Sequence, residues 1–151
     1  MQIIGFNFTK ISGERFLNKL TPEIKKVLDF KFDDIEHEKS INFLKDSDVL
    51  KISFKHSLFY TPVDSKDKGK KKNEKKEAEI SFEGNILISL SKKDLDEILL
   101  SWKKKQISNT LRIFLSNFIL SKCTPKTLEL QQELNLPSHL PLPRLNMKPD
   151  N

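Results

Sequence analysis

The sequence predicts an α+β fold, in which a four-stranded antiparallel sheet is followed by two C-terminal helices and a proline-containing extended tail. Four stretches alternate apolar and polar residues, as strands with one buried face do. A block with helical periodicity follows them, and no strand pattern returns after it. Prolines recur near the end of the sequence, at positions 137, 141 and 143, where they prevent a further helix.

The strands are predicted from their period of two. They cover about 2–9, 27–35, 49–61 and 78–90. A polar turn is expected at 12–14, after the first strand. Gly84 and Asn85 interrupt the fourth strand. Because the alternation continues across them, they predict a bulge or sharp bend in one long strand and not a hairpin turn.

Ser91 opens the first predicted helix, and Asp94 three residues later makes an approximate capping box. The apolar residues that follow have the spacing of one helical face. They are Leu95, Ile98, Leu99 and Trp102. A helix that includes 111–120 comes next. It is apolar around most of its circumference, so the side that does not face the sheet needs a second helix or another subunit.

Thr124 and Pro125 predict a new helix start, because proline is favoured at the first helical position. This short helix is expected to reach about Leu134. The remainder to 145 contains prolines and leucines and predicts an extended apolar strap. We therefore expect one domain over 1–145, with 146–151 as a disordered tail.

The positive charge is concentrated in one segment. The chain has 151 residues and a formal net charge of +6. Within 62–78 lie seven lysines and four acidic residues, with almost no apolar content. This composition predicts a lysine-rich flexible loop between the third and fourth strands.

Several protein classes are disfavoured. The single Cys123 rules out an internal disulfide, the first ten residues alternate unlike a signal peptide, and no apolar run approaches the roughly 18–20 residues of a membrane span. We expect a soluble cytoplasmic protein. Glycine-rich phosphate loops, nucleophile elbows and metal-ligand spacings are absent from the sequence, so we expect no enzyme, catalytic residue, cofactor or metal.

The chain has more apolar residues than a one-faced sheet requires. Phe59 and Leu87 lie on the polar side of their strands, and 111–120 is apolar all round. This surplus predicts a second covered surface, formed with a subunit or a bound polypeptide. The candidate client- or partner-binding residues are Phe54, Leu58, Phe59, Tyr60, Phe82 and Leu87. The candidate residues of a homo-oligomer interface are Leu111, Phe114, Leu115 and Phe118.

The basic charge leaves a second interpretation open. An RNA- or ribosome-associated protein would use lysines of the flexible loop and of the end of the first helix, where Trp102 could stack on a base. The helical spacing of Trp102 favours a place in the core instead. The candidate nucleic-acid contacts are Lys70, Lys71, Lys72, Lys103, Lys104 and Lys105.

The order of elements resembles that of the SecB-type protein-export chaperones. Local likenesses are the N-terminal strand with 1–4 and 8–12, a helix ending near Cys123, and the closing segment 134–137. The resemblance covers nearly the whole chain and implies a SecB-like domain over 1–145. It implies an ATP-independent chaperone, assembled as a dimer of dimers, that holds non-native polypeptides in apolar grooves for protein transport. The chain differs from that typically acidic family in its basic charge and its lysine insertion, and no residue role is transferred.

Overall fold

Strands precede helices along the chain. The computed structural model describes residues 1–39, 47–63, 76–141 and 143. The strands are β1 (Gln2–Arg15), β2 (Ile24–His37), β3 (Asp48–Pro62) and β4 (Ala78–Leu90), and the helices are α1 (Lys92–Lys103) and α2 (Asn109–Glu133). The α+β architecture, with an antiparallel sheet before two helices, confirms the predicted fold class.

The sheet has the strand order β1-β4-β3-β2, with every neighbouring pair antiparallel. β1 and β2 follow each other in sequence but lie at opposite edges, so their connection must pass the ends of β4 and β3. Two side chains hold it there. The guanidinium of Arg15 donates to the carbonyls of Leu17 and Asn18, and the buried carboxylate of Glu77 accepts hydrogen bonds from the backbone N–H and hydroxyl of Thr21.

Glu77 falls within the range predicted to be a flexible loop, yet it is buried and its N–H donates to the Tyr60 carbonyl at 2.7 Å. The lysines at 70–72 and the predicted tail at 146–151 lie outside the described residues.

β1 is longer than predicted, and the polar turn expected at 12–14 is wrong. Ser12 and Gly13 instead pair with Ser81 and Ile80 of β4. Polar residues extend the strand here because its backbone is satisfied by β4, whatever its side chains are. Gly13 also allows a helix to come close, since a Cβ built on it would lie 3.0 Å from Cδ1 of Leu134.

β4 is one unbroken strand through Gly84, as its alternation predicts. The irregularity lies in the neighbouring strand, where the register shifts between Phe8 and Lys10. A Cβ on Gly84 would stand 2.3 Å from the backbone oxygen of Asn7 and 3.0 Å from the ring of Phe54. Glycine is required here because backbone and ring approach from both sides.

The core lies between one face of the sheet and the helices. Inward side chains of β3 and β4 form its floor, and α2 presents every fourth residue to it. These residues are Leu111, Leu115, Ile119, Cys123, Thr127 and Gln131. Phe6 ties the edge to the centre, since its ring stacks on Phe54 at 5.7 Å and meets the edge of Phe118 at 5.5 Å.

α1 begins as predicted. Ser91 is its N-cap, and the Ser91 hydroxyl accepts from the Asp94 N–H at 3.2 Å. The predicted apolar face packs on the core through Leu95, which is 3% exposed. No helix within the part of the chain that the structure describes combines the length and apolarity needed to cross a membrane.

α2 runs without a break through Pro125, so the predicted restart at Thr124–Pro125 is wrong. Proline removes one intrahelical donor, but residues on both sides of it keep the helix on the sheet. Cys123 and Thr127 are both buried, and the Thr127 hydroxyl donates to the Cys123 carbonyl at 2.8 Å. Tertiary packing therefore overrides the local signal.

The described part of the predicted strap, 136–141, follows α2 and crosses the end of β3. Leu136 is buried, and the Tyr60 hydroxyl donates to the Pro137 carbonyl at 2.5 Å. Gln131 of α2 donates to the same hydroxyl at 2.7 Å. One buried tyrosine thus joins sheet, helix and strap.

Gly84→Ala should destabilise the fold by about 2–3 kcal/mol, because the new methyl group overpacks against the Asn7 carbonyl and the Phe54 ring. Gly5→Ala is the matched control. Its methyl group would meet only the side chain of Leu87, at 3.0 Å, which can turn away. Urea unfolding followed by circular dichroism measures both free energies. Equal losses at the two positions would contradict the close approach at Gly84.

Candidate functional site

Most of the predicted client-binding residues lie in the core. Phe54, Leu58, Tyr60 and Phe82 are each at most 2% exposed. They occupy the inner side of β3 and β4, where α2 and the strap cover them, so they can touch a partner only if the helices leave the sheet. The sequence pattern identifies the apolar face correctly but does not tell which element covers it.

Phe59 and Leu87, the two apolar residues on the other side of the sheet, are half-buried. The Lys76 ammonium lies 3.9 Å from the centroid of the Phe59 ring. Leu87 lies against Gly5, in the space that a larger residue would fill. Local contacts therefore cover part of both side chains, and they do not form a joint patch with the buried residues.

The predicted oligomer residues divide between two sides of α2. Leu111 and Leu115 are at most 3% exposed and face the sheet, and Phe118 is half-buried against Phe6. Phe114 is 38% exposed, and its neighbour Ile113, which the prediction omitted, is 60% exposed. The outer surface of α2 is thus apolar at Ile113 and Phe114.

A groove of about 750 Å³ lies between β2 and the helices, and we call it the β2 groove. One wall is β2 from Phe30 to Asp33. The other consists of residues at the end of α1, in the connection 104–108 and at the start of α2. These are Trp102, Lys105, Ile107, Arg112 and Ser116.

The β2 groove follows the edge of the strand. Successive strand side chains point to opposite faces, so a groove in contact with four consecutive residues must run beside the backbone. β2 is the last strand of the sheet. Among the described residues, the backbone of 28–35 has no backbone–backbone hydrogen bond other than those to β3, and only the Asp29 carbonyl and the Ile35 N–H bond to side chains. The outer backbone groups of 30–34 are free to bind an extended chain.

A bulge shapes this edge. The register between β2 and β3 shifts between Phe32 and Asp34, which leaves Asp33 as the extra residue. The Ile35 N–H beyond it bonds to the carboxylate of Asp34 at 2.9 Å. Bulges re-aim side chains at sheet edges, and here Asp33 reaches Lys31 at 3.7 Å. Both side chains are largely exposed, so this ion pair is weak.

Phe30, in the β2 wall of the groove, is backed by uncharged aromatic rings. Phe30 stacks on His56 with centroids 4.2 Å apart, and His56 in turn faces Phe82. Burial lowers the pKa of His56, although its Nδ1–H donates to the Asp29 carbonyl, a bond that opposes the shift. The imidazole is therefore neutral at neutral pH and adds no charge to the groove.

Lys105 holds an unusual backbone conformation beside Trp102. α1 ends with the hydrogen bonds of a Schellman motif, from the Gln106 N–H to the Ser101 carbonyl at 3.1 Å and from the Lys105 N–H to the Trp102 carbonyl at 2.8 Å. The left-handed position of this motif is usually glycine, but here it is Lys105 with φ of 56°. A side chain there costs about 1–2 kcal/mol.

The side chain of Lys105 turns back over the helix end. Its ammonium lies 4.4 Å from the centroid of the Trp102 ring, where a cation–π contact contributes about 0.5–1 kcal/mol. α2 ends with the same motif, and there Asn135 has the left-handed conformation with φ of 51°. Asparagine tolerates that region, so Lys105 is the exceptional residue of the two.

Of the lysines predicted to contact nucleic acid, Lys103, Lys104 and Lys105 are exposed at the end of α1, and only Lys105 lines the β2 groove. Trp102 is half-buried. It packs against the core, as its helical spacing predicts, and it also borders the groove. The groove could not be identified from the sequence, because it joins β2 to residues about seventy positions later.

Among the described residues, reactive groups outside the groove are few. Burial raises the pKa of the Cys123 thiol to about 12, so it stays protonated at neutral pH. His37 contacts Asp48 at 3.2 Å. Within the described ranges, no group of three histidine, cysteine, aspartate or glutamate residues is placed to hold a metal ion.

Lys105→Val should have a free energy of unfolding about 1 kcal/mol below that of Lys105→Gly, because a β-branched residue disfavours the left-handed region. Both variants lose the cation–π contact with Trp102, so this loss does not affect the difference between their free energies of unfolding. Asn135→Val and Asn135→Gly form a matched pair at the end of α2. Chemical unfolding monitored by tryptophan fluorescence gives the four values. Equal stability within the Lys105 pair would rule out the left-handed cap.

Comparison with known proteins identifies no family for this chain. No protein-family model matches it, and no curated protein matches it significantly. The function of the β2 groove has to be argued from its own geometry.

Proposed function

We propose that this protein is a polypeptide-binding module, acting as an ATP-independent chaperone, that holds an extended segment of a non-native or partner protein in the β2 groove. The observation that carries the proposal is the position of this groove. It places aromatic side chains beside an edge strand whose outer backbone groups are unpaired among the described residues.

The edge of β2 and the aromatic side chains of the groove have separate roles. Strand addition to an edge satisfies backbone donors and acceptors of the incoming chain, which is independent of its sequence. Phe30, Phe32 and Trp102 then bury its apolar side chains, at roughly 25 cal/mol per Å² of apolar area. Binding of this kind requires neither a nucleotide nor a catalytic group.

The resemblance to SecB-type chaperones supports the same function from a different direction. It rests on the order of strands and helices and on short residue matches, and it implies a client-holding role. One of its likenesses, a helix ending near Cys123, is wrong, because α2 continues to Glu133. The groove is a more suitable client site than the residues chosen from the sequence pattern. It is open to solvent in the folded chain, whereas Phe54, Leu58, Tyr60 and Phe82 are buried.

We also propose that a second copy of the chain covers the outer surface of α2. Ile113 and Phe114 are exposed there, and no acidic residue occurs within 109–128. A helix surface of this kind is self-complementary through its apolar side chains, as a symmetric dimer requires. The interface would thus use Phe114 from the predicted set, together with Ile113.

Phe114→Glu should lower the mass of the oligomer, because two carboxylates would be desolvated in the apolar contact. Gln132→Glu is the control, since it adds the same charge at an exposed polar position near the other end of α2, far from Ile113 and Phe114. Sedimentation velocity measures the mass, and circular dichroism verifies that each variant is folded. A folded Phe114→Glu variant of unchanged mass would remove Phe114 from the interface.

Ser116→Trp should abolish client holding without unfolding the protein. Ser116 lines the groove on α2, so a large side chain there fills the space that a client would occupy. Asn117→Trp adds the same side chain at the neighbouring exposed position. The readout is light scattering from an aggregating client at stoichiometric amounts of each variant. A wild-type protein that does not suppress aggregation, and binds no unfolded segment, would contradict the proposal.

An RNA-binding role is the second candidate. One observation favours it, namely the half-buried Trp102 with the ammonium of Lys105 over its ring, an arrangement suited to base stacking near a phosphate. RNA binding that weakens steeply with salt and disappears on deletion of 65–76 would support this function. Sedimentation with RNA added separates the two candidates, because a polypeptide-binding module keeps its mass in that experiment.

A further inference from the structure

The β2 groove carries an excess of positive charge. Its lining, among the described residues, includes Lys31, Lys105 and Arg112 but only one acid, Asp33. Asp33 already lies near Lys31, at 3.7 Å. In the part of the chain that the structure describes, no carboxylate lies within ion-pair distance of Lys105 or Arg112. Two cations of the groove thus have no anionic partner among the described residues.

These cations stand beside apolar walls. Phe30, Trp102 and Ile107 exclude water from part of the groove, and a charge interaction is stronger there than on an open surface. A bound segment that supplies carboxylates would gain this attraction. A segment that supplies ammonium groups would be repelled by the same two residues.

The left-handed conformation of Lys105 indicates a role for its side chain. The backbone geometry alone does not explain a lysine at this position. Glycine would close the α1 cap with less strain, and asparagine does so in α2. A residue in a strained backbone conformation is a reason to look for a role of its side chain. The contact with Trp102 also limits the motion of the ammonium, which lowers the entropy lost on binding.

From this geometry, and resting on the function proposed above, we infer that the β2 groove selects extended polypeptide segments in which acidic side chains flank an aromatic or aliphatic one, with Lys105 and Arg112 as the specificity-determining residues. The apolar side chain lies against Phe30 and Phe32. The flanking carboxylates meet the ammonium of Lys105 and the guanidinium of Arg112, whose planar donors suit a carboxylate.

Nucleic acid is the other polyanion that such a groove could attract. The free edge of β2 favours a polypeptide, because its outer N–H and C=O groups match those of an extended backbone. The phosphate groups of a nucleic acid offer acceptors only, and its sugars do not repeat the alternating N–H and C=O groups of a peptide. The test therefore includes a single-stranded RNA as a competitor.

The experiment compares short unstructured peptides that share one apolar core and differ in their flanks, which are glutamate, glutamine or lysine. Fluorescence anisotropy with the full-length protein measures each dissociation constant at low and high salt. We expect the glutamate peptide to bind roughly tenfold more tightly than the glutamine peptide at low salt, and the lysine peptide to bind most weakly. Salt should reduce the difference, since it screens the exposed charges.

Single-residue variants identify the side chains that cause the preference for the glutamate peptide. Lys105→Gly removes the ammonium while it retains the left-handed cap, and Arg112→Gln removes the guanidinium from an exposed position. Each should reduce the glutamate-over-glutamine preference about threefold. Lys104→Gln is the control for net charge, because Lys104 is exposed and does not line the groove.

The outcomes separate this inference from the proposed function. Glutamate and lysine peptides that bind equally well would overturn the acidic preference and leave polypeptide binding in place. A preference that Lys104→Gln reduces as much as Lys105→Gly would overturn the residue assignment. A wild-type protein that binds none of the peptides would overturn both. RNA binding that depends on Lys105, without any peptide binding, would mean that the ligand of the groove is nucleic acid and not polypeptide.

Discussion

The packing of α2 across the inner face of the sheet is the interaction on which the other features of this protein depend. Leu115, Ile119 and Cys123 are fully buried in that contact, and burial of a leucine or isoleucine contributes about 1.5–3 kcal/mol. α2 begins beside β2 at the groove and ends over Gly13 of β1. One helix therefore covers the core, closes one wall of the groove and leaves its own outer surface apolar.

The crossing connection between β1 and β2 is the second constraint. Hairpin neighbours would have paired, but the strand order places β2 at an edge with its outer side open. An open edge is a hazard for aggregation, which proteins reduce with charges, bulges and short strands. β2 has a bulge at Asp33 and the exposed charge of Lys31 beside it. These features disfavour aggregation along the whole edge, and they leave the stretch beside the groove open to a single extended segment.

The alternating pattern was sufficient to predict four strands and the α+β class, because burial of one sheet face imposes a period of two on the sequence. It failed where satisfaction of the backbone or tertiary packing decides the structure, as in the strand through Ser12 and the helix through Pro125. The site was harder to predict. Periodicity identifies Phe54 and Tyr60 as apolar-face residues, but whether a helix covers that face depends on packing between distant segments.

For Lys105, the local sequence predicts exposure at a helix end but not the left-handed backbone conformation. Its place after an amphipathic helix agrees with a solvated helix end, and nothing in the run of three lysines distinguishes it from Lys104. Only the backbone does so, because the Schellman motif fixes one residue of the run in the left-handed region and directs its ammonium over Trp102. A charge that is placed by a helix cap at the border of a groove acts as part of that groove, whereas its neighbours act only through the net charge of the protein.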